Sequence, residues 1–332
     1  MAVENWQREA VTLRNQGLSY RAIADKLFNN TYYEYKIRAW LKTPEAQSLG
    51  YIRENDTRTL EGSRTVIAKS FDALRKENVN MIFFDLETSP CISYNFQHRD
   101  VLIRPEHKIK ESHLLSISYA YNDGEVQGYR MTPEDVARGD DLTLVVNMIE
   151  AIEKADIMVG YNSKKFDIRY LNTRALYYGL KPITVTKHID VYEQVRKSFS
   201  FPSKSMGAVP SYLGLEGKLA NDGFDLWRRC MEYQNHDVCD KALQDMLTYN
   251  MQDIEATRDL YKKLNGWMRQ IPNVGTMKNI KSGVKTLRCS KCASDDVLPL
   301  DKLTYTNTKG WEMYRCNSCG GVSRFSTTGL VS

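Results

Sequence analysis

Acidic side chains recur in the central part of the 332-residue chain at spacings that could gather them at one point. Asp85 and Glu87 stand two residues apart at the end of an apolar run, so in a strand both would lie on one face. Asp167 follows a second apolar run, while Tyr249 and Asp253, four residues apart, would share a face of a helix. Clustered carboxylates repel one another unless cations compensate them, and oxygen-only ligands favour Mg²⁺ or Mn²⁺. Two such ions, about 3.5–4 Å apart, can clamp the attacking and leaving oxygens of a phosphodiester.

Two Cys-x-x-Cys pairs form a second chemical pattern. Cys289 and Cys292 are followed, after 23 intervening residues, by Cys316 and Cys319. Each pair can hold two corners of a tetrahedron while a hairpin spans the gap, which is typical of a zinc ribbon. A redox dithiol is the alternative, but no thioredoxin-like surroundings flank either pair. The pattern predicts one structural Zn²⁺, and the odd total of seven cysteines fits a reducing compartment better than disulfides.

Composition and charge narrow the class of protein. With 42% apolar and 26% charged residues the chain can bury a large core, and no run approaches the length of a membrane span. The first residues are acidic and polar where a secretory signal is basic and then apolar, so we expect a cytoplasmic chain, in the host cytoplasm if it is encoded by a phage.

The net charge of +5 is unevenly distributed along the sequence. Residues 1–78 carry +3, residues 79–260 carry −6 and residues 261–332 carry +8. No acid occurs between Asp259 and Asp295, where Lys278, Lys281 and Lys285 are candidate contacts to a polyanion. A solvated linker is the other interpretation of this basic run.

The elements that would position the acids follow an α/β pattern with a mixed sheet. Strands 81–84, 114–121 and 125–130, with a turn at 122–124, predict an antiparallel meander. After them, the pattern predicts helix 142–154, strand 157–160, helix 168–178, strand 188–191 and a long helix 237–264.

The first 45 residues predict three short helices, with Trp6, Ala10 and Leu13 at helical spacing in the first. The arrangement resembles a helix-turn-helix. Its later helix would face the nucleic acid with the residues Tyr32, Tyr33, Tyr35, Lys36 and Arg38. Any small three-helix bundle gives the same pattern, so the two interpretations stay open.

Three motifs taken together resemble a known family of nucleases. Phe84-Asp85-Leu86-Glu87-Thr88, Asn162-Ser163-Lys164-Lys165-Phe166-Asp167 and Tyr249-Asn250-Met251-Gln252-Asp253 look like the motifs of the DEDDy 3′–5′ exonucleases of the RNase H-like superfamily. They are most similar to the proofreading domain of family B DNA polymerases and its stand-alone relatives. A lone Asp-x-Glu is weak evidence, whereas three motifs in this order on the expected strand, strand end and helix are a strong combination.

The resemblance implies metal-binding and catalytic roles. Asp85, Glu87 and Asp253 would bind the ion that holds the attacking water, and Asp85 would bridge to a second ion that Asp167 reaches directly or through water. Tyr249 would orient this water. Tyrosine, with an unperturbed pKa of about 10, is better suited to hydrogen bonding there than to removing a proton. Two Mg²⁺ or Mn²⁺ ions are therefore the implied cofactors.

The resemblance also implies contacts to the substrate. Leu86 would wedge against the terminal base, and Asn162 and Phe166 would line the 3′ end. Asp190, in a segment that looks like the family's connection between the second and third motifs, is expected to cap a strand end or support the site without acting catalytically.

These patterns predict five parts: a helix-turn-helix-like domain (1–45), a linker or helical arm (46–78), an RNase H-like DEDDy exonuclease domain (79–266), a basic linker (267–286) and a zinc ribbon (287–332). The ribbon could stack bases on Tyr305, Trp311 and Tyr314 or dock a replication or recombination protein. The expected function is a stand-alone 3′–5′ exonuclease, acting on DNA rather than RNA, in phage-like replication, repair or recombination. The alternatives are a structure-selective endonuclease and a non-catalytic nucleic-acid-binding or proofreading subunit.

Overall fold

A computed structural model of the protein describes residues 5–16, 18, 20–29, 33–41, 44–49, 78–96, 103–215, 223–305 and 309–326. The chain divides into two compact units, Met1–Ala73 and Leu74–Ser332. Among the helices within these ranges, none has the length and apolar character needed to cross a membrane.

The N-terminal unit is helical, as the sequence predicts. Its helices are α1 (Asn5–Asn15), α2 (Tyr20–Phe28), α3 (Glu34–Trp40) and α4 (Pro44–Ser48). Ala10, Ile23 and Ile37 are fully buried between them because apolar residues recur on one face of each short helix. Recognition of nucleic acid by this unit stays a prediction, and Tyr32 lies outside the described residues.

A five-stranded mixed sheet forms the centre of the second unit. Its strands, in the order β5-β4-β1-β6-β7, are β1 (Met81–Thr88), β4 (Leu114–Tyr121), β5 (Gln127–Arg130), β6 (Ile157–Gly160) and β7 (His188–Asp190). Strands β1, β4 and β5 run antiparallel and β1, β6 and β7 run parallel, which confirms the predicted meander and mixed sheet. A separate two-stranded sheet, β2 (Ile92–Ser93) and β3 (Lys108–Lys110), follows β1 in the chain.

Helices flank this sheet, so the unit has the predicted RNase H-like α/β architecture. They are α5 (Pro133–Arg138), α6 (Leu142–Glu153), α7 (Asp167–Tyr177), α8 (Val191–Ser198), α9 (Ala208–Tyr212), α10 (Phe224–Cys230) and α11 (His236–Leu264). The first four predicted helix and strand segments after the meander are confirmed within one or two residues at their ends. The predicted long helix is α11, which begins one residue earlier than expected.

Alternation along β1 places its two acids on the face opposite Phe84 and Leu86. Phe84 and Leu86 point into the largest core cluster, whereas Asp85 and Glu87 lie on the opposite face with Phe83. Helix α11 crosses that opposite face very closely. At Gly128 of β5, a Cβ would stand 2.6 Å from Leu247 Cδ1, so any larger residue there would require the Leu247 side chain to move. The packing brings α11 over the carboxylates of β1.

The C-terminal part is a small antiparallel sheet joined firmly to the rest of its unit. Strands β8 (Val297–Tyr305), β9 (Gly310–Cys316) and β10 (Val322–Ser326) pair in the order β10-β9-β8. The predicted basic linker, 267–286, contains helix α12 (Val274–Ser282). Val274 N donates to Ser290 O at 2.9 Å, and Gly266 lies so close to Cys319 O that no Cβ could fit between them. The ribbon therefore packs against the end of α11 and the start of α12.

Candidate active site and metal centres

Three carboxylates from two elements meet where α11 crosses β1. Asp85, Glu87 and Asp253 each offer an oxygen, and these oxygens lie within 4.8 Å of one another. Strand alternation places the first two on the face that α11 covers, and α11 supplies the third. Carboxylates this close repel one another, and an oxygen-only donor set suits a hard divalent cation. The cluster therefore fits Mg²⁺ or Mn²⁺ by its donor chemistry.

A cavity of about 230 Å³ opens beside these carboxylates. Its walls contain all four predicted acids and all three residues expected to contact a 3′ end. The lining residues are Asp85, Leu86, Glu87, Tyr161, Asn162, Phe166, Asp167, Met206, Asp253 and Thr257. The structure thus gathers around one cavity residues that lie up to 172 positions apart in the sequence, from Asp85 to Thr257.

Asp167 lines the cavity but stands outside the three-carboxylate cluster. It is the first residue of α7, is 3% exposed, and its Oδ1 accepts a hydrogen bond from Leu86 N at 3.1 Å. Burial raises the pKa of this carboxyl to about 7, while hydrogen bonds from backbone amides act in the opposite direction. A contact to a cation through water, one of the two arrangements that the motif resemblance implies, fits this position better than direct ligation.

Asn250 is a functional candidate that the sequence patterns did not single out. Its side chain is fully buried between α11 and the sheet, and its Nδ2 donates to Asp85 Oδ2 at 2.6 Å. Its Oδ1 accepts a longer hydrogen bond from Ser116 Oγ on β4, at 3.4 Å. The amide thereby fixes the orientation of the Asp85 carboxylate. The one signal in the sequence was its position inside the third motif, beside Tyr249.

The loop after β6 is held in place by a buried acid. Asp190 accepts hydrogen bonds from Asn162 N at 3.0 Å and Lys164 N at 3.1 Å, and from Glu193 N at the start of α8. Asn162 takes the left-handed backbone conformation, with φ of 61°, which asparagine tolerates better than most residues. This geometry agrees with the structural cap predicted for Asp190, and it sets Asn162 at the edge of the cavity.

His188 supports the same loop from β7. Its Nε2 lies 2.8 Å from Ser163 Oγ, and burial, aided by the positive charge of Lys164, lowers the pKa of the imidazole to about 4. The ring is therefore neutral at neutral pH.

Tyr249 does not line the cavity. The residue lies one helical turn before Asp253, is buried, and packs its ring edge-on against Trp227 at a centroid distance of 6.0 Å. Leu86 borders the cavity, but its side chain is buried in the core on the opposite face of β1. Phe166 lines the cavity, is partly exposed, and stacks on Tyr170 with a centroid distance of 5.9 Å.

The three predicted lysine contacts lie away from the cavity walls. Lys281, on α12, forms an ion pair with Asp156 and donates to Asn78 O at 3.4 Å, next to the first residues of β6 and β1. The acids lie toward the other end of β1. Because a strand rises about 3.3 Å per residue, Lys281 and the acids are at opposite ends of this strand. Lys278 shares its helix, and Lys285 is exposed just beyond it.

The four cysteines of the two Cys-x-x-Cys pairs come together in the ribbon. Their Sγ atoms lie within 4.8 Å of one another, with Cys289 and Cys319 at 3.6 Å and Cys292 and Cys316 at 3.6 Å. Disulfide sulfurs are about 2.05 Å apart, so these distances describe separate thiols. Four sulfurs at about 2.3 Å from a tetrahedral Zn²⁺ stand about 3.8 Å from one another, which this cluster matches closely.

Comparison with known proteins identifies a family whose model matches part of this chain. A family model of the RNase_H superfamily, RNase_H_2, matches residues 106–265, a segment that contains Asp167, Tyr249 and Asp253. Together with the sheet topology, this match defines an RNase H-like domain, a fold whose members usually hydrolyse phosphodiesters and whose substrates are nucleic acids.

Solved structures that are similar include the family B DNA polymerase from the hyperthermophilic archaeon Pyrobaculum calidifontis. The identity is 16% and the TM-score 0.42, over 62% of this chain and 27% of the polymerase chain. The chain thus matches only about a quarter of that polymerase. No curated protein matches the sequence.

Proposed function

We propose that the protein is a metal-dependent 3′–5′ exonuclease that hydrolyses DNA from its 3′ end. The observation that carries this proposal is the cluster of Asp85, Glu87 and Asp253 on a mixed sheet whose later strands lie in the segment, 106–265, that matches the RNase_H superfamily model. The 3′–5′ direction is supported by the resemblance of the three motifs to those of the DEDDy exonucleases.

The residues around the cluster would have two roles: some would bind metal ions and others would bind the nucleic-acid strand. Asp85, Glu87 and Asp253 would hold one divalent ion, and Asp85 with Asp167 would hold a second. Such ions supply charge that stabilises the attacking and leaving oxygens of a phosphodiester. Asn250 keeps the Asp85 carboxylate oriented for this purpose, since its Nδ2 lies 2.6 Å from Oδ2.

The volume of the cavity supports binding of a single nucleotide at the acidic site. Its volume of about 230 Å³ falls below the range of about 300–1,000 Å³ of pockets that enclose drug-sized ligands. Such a space suits one nucleotide better than a continuous duplex. Asn162 and Phe166, on the loop anchored by Asp190, would contact that nucleotide.

The test is degradation of 5′- and 3′-labelled single- and double-stranded DNA and RNA with Mg²⁺, with Mn²⁺ or with a chelator. We expect a metal-dependent ladder that recedes from the 3′ end of DNA. Asp85→Ala and Asp253→Ala should abolish it while leaving binding largely intact. Asp259→Ala, an exposed acid on the same helix, is the matched control and should retain activity.

Two results would contradict the proposal. Cleavage of a closed circular DNA would identify an endonuclease, because a circle offers no 3′ end. Tight binding without metal-dependent cleavage of any substrate would identify a binding subunit.

A further inference from the structure

Four aromatic rings from two separate segments form a continuous series on the second unit. Their order is Tyr212, Phe201, Phe199 and Trp267, with successive ring centroids 5.4, 5.3 and 6.3 Å apart. The inner two are half-buried against the core, whereas Tyr212 is 67% and Trp267 69% exposed. We name these four residues the aromatic surface.

The aromatic surface adjoins the candidate active site through its own chain segment. Met206, which lines the cavity, lies between Phe201 and Tyr212 in sequence. Tyr161, another cavity residue, donates its hydroxyl to Lys204 O at 2.5 Å and so ties this segment to the cavity wall. The segment 201–212 therefore contributes both to the cavity wall, through Met206, and to the aromatic surface.

The charge of both contributing segments suits a polyanion. Neither 194–215 nor 260–294 contains a single Asp or Glu. The two segments meet at the contact between Phe199 and Trp267 and again where Arg269 N donates to Gln194 Oε1 at 2.9 Å. Arg269 and Arg196 have exposed side chains in these segments. The absence of Asp and Glu from both segments limits like-charge repulsion of phosphates that lie beside the exposed rings.

We propose that the aromatic surface binds single-stranded nucleic acid by stacking its bases on Tyr212 and Trp267, and so leads the strand to the cavity. This inference rests on the proposed function and specifies which form of substrate that site receives. Stacking on aromatic side chains is independent of sequence because every base has a π-face, and it requires bases that are not already paired within a duplex. Exposed basic side chains beside the rings follow the backbone of the strand.

The experiment measures binding of a fluorescein-labelled 12-nucleotide single strand to the full, zinc-loaded chain by anisotropy. The Asp85→Ala background prevents cleavage. Stacking on one aromatic residue contributes about 1–3 kcal/mol per base, so Trp267→Ala and Tyr212→Ala should each raise the Kd at least about fivefold. Trp267→Phe should restore most of the affinity. Tyr177→Ala, which removes a tyrosine that is 73% exposed on α7, is the matched control and should leave the Kd unchanged.

A second measurement separates this inference from the proposed function. The p-nitrophenyl ester of thymidine 5′-monophosphate is too short to reach the aromatic surface, and its hydrolysis reports on the acidic site alone. With Asp85 intact, both surface variants should hydrolyse it like the parent. The proposed role of the aromatic surface would be refuted if both surface variants bound the single strand with a Kd within twofold of the parent, or if Tyr177→Ala lost as much affinity as they did. Binding of a protein partner would then be the alternative role of this surface. A parent that binds single strands through these rings but never hydrolyses the ester would refute the proposed function instead.

Discussion

Replacement of Asn250 by alanine tests whether the acidic site is held in position by the fold. The change removes the Nδ2 donor that lies 2.6 Å from Asp85 Oδ2 and the acceptor of the Ser116 hydroxyl. The Asp85 carboxylate would then lose the buried hydrogen bond that helps to orient it toward the oxygens of Glu87 and Asp253. We expect the free energy of divalent-ion binding to decrease by more than the free energy of unfolding.

The magnitude follows from the kind of contact that is lost. A hydrogen bond to a charged group contributes about 1.5–3 kcal/mol, and loss of a residue that orients a metal ligand typically lowers metal affinity or activity about 10–100-fold. Asn250→Ala should therefore raise the Kd for Mn²⁺ by about one to two orders of magnitude and lower kcat similarly. The Kd is measured by Mn²⁺ titration followed by electron paramagnetic resonance, and stability by urea unfolding.

Two variants give this experiment its controls. Gln252→Ala alters a half-buried amide on the same helix and should leave Mn²⁺ binding unchanged. Ser116→Ala removes only the longer hydrogen bond to Asn250 and should have a weaker effect than Asn250→Ala. An Asn250→Ala protein with parental Mn²⁺ affinity but reduced stability would show that the amide fills the core and does not position Asp85.

Three further substitutions probe other contacts. Tyr249→Phe keeps the ring packing against Trp227 but removes the hydroxyl, and we expect kcat to fall by about tenfold with KM unchanged, less than loss of an acid; an unchanged kcat would exclude a role for the hydroxyl. Cys289→Ser should release zinc, as metal analysis would measure, and unfold the ribbon while catalysis persists; retained zinc would contradict the site. His188 has its pKa lowered to about 4 from 6.5, so the stability it contributes above pH 6.5 is lost as the pH falls toward 4, by about 3 kcal/mol. Between pH 6.5 and 4 the free energy of unfolding, measured by urea denaturation, should fall less for His188→Gln than for the parent. An equal decrease in both proteins would contradict the effect of burial on His188.

Most of the secondary structure of the central domain could be predicted from local patterns. Strands β4 and β6 have the predicted bounds: β6 is a continuous apolar run, and β4 is buried on both faces although Ser116 and Ser118 interrupt its apolar residues. Helix α11 was recognisable because its apolar residues repeat at helical spacing over many turns. Strand β1 extends four residues beyond its apolar run, since pairing with β4 continues through the acidic motif.

The contacts that organise the site were beyond the reach of local patterns. Asn250 bonds to Asp85 across 165 positions, and no periodicity identifies such a partner. Lys281 belongs to a basic run that indicates polyanion binding, yet its ammonium group pairs with Asp156, a residue 125 positions away. The charge of a segment predicts what it can attract, whereas the fold decides which of its side chains are already paired.

The two metal centres differ in how much of their geometry the protein supplies. Asp85 is oriented by Asn250, and Asp167 is tied to the backbone of β1 at Leu86, so these acids are fixed by buried hydrogen bonds within a large core. Among the described residues of the ribbon few side chains are buried, namely Cys289, Ala293, Cys316 and Ser323. A domain with so small a core depends on its metal for folding. Loss of divalent ions from the acidic site should therefore stop chemistry without unfolding the sheet, whereas loss of zinc should unfold the ribbon that packs on the end of α11.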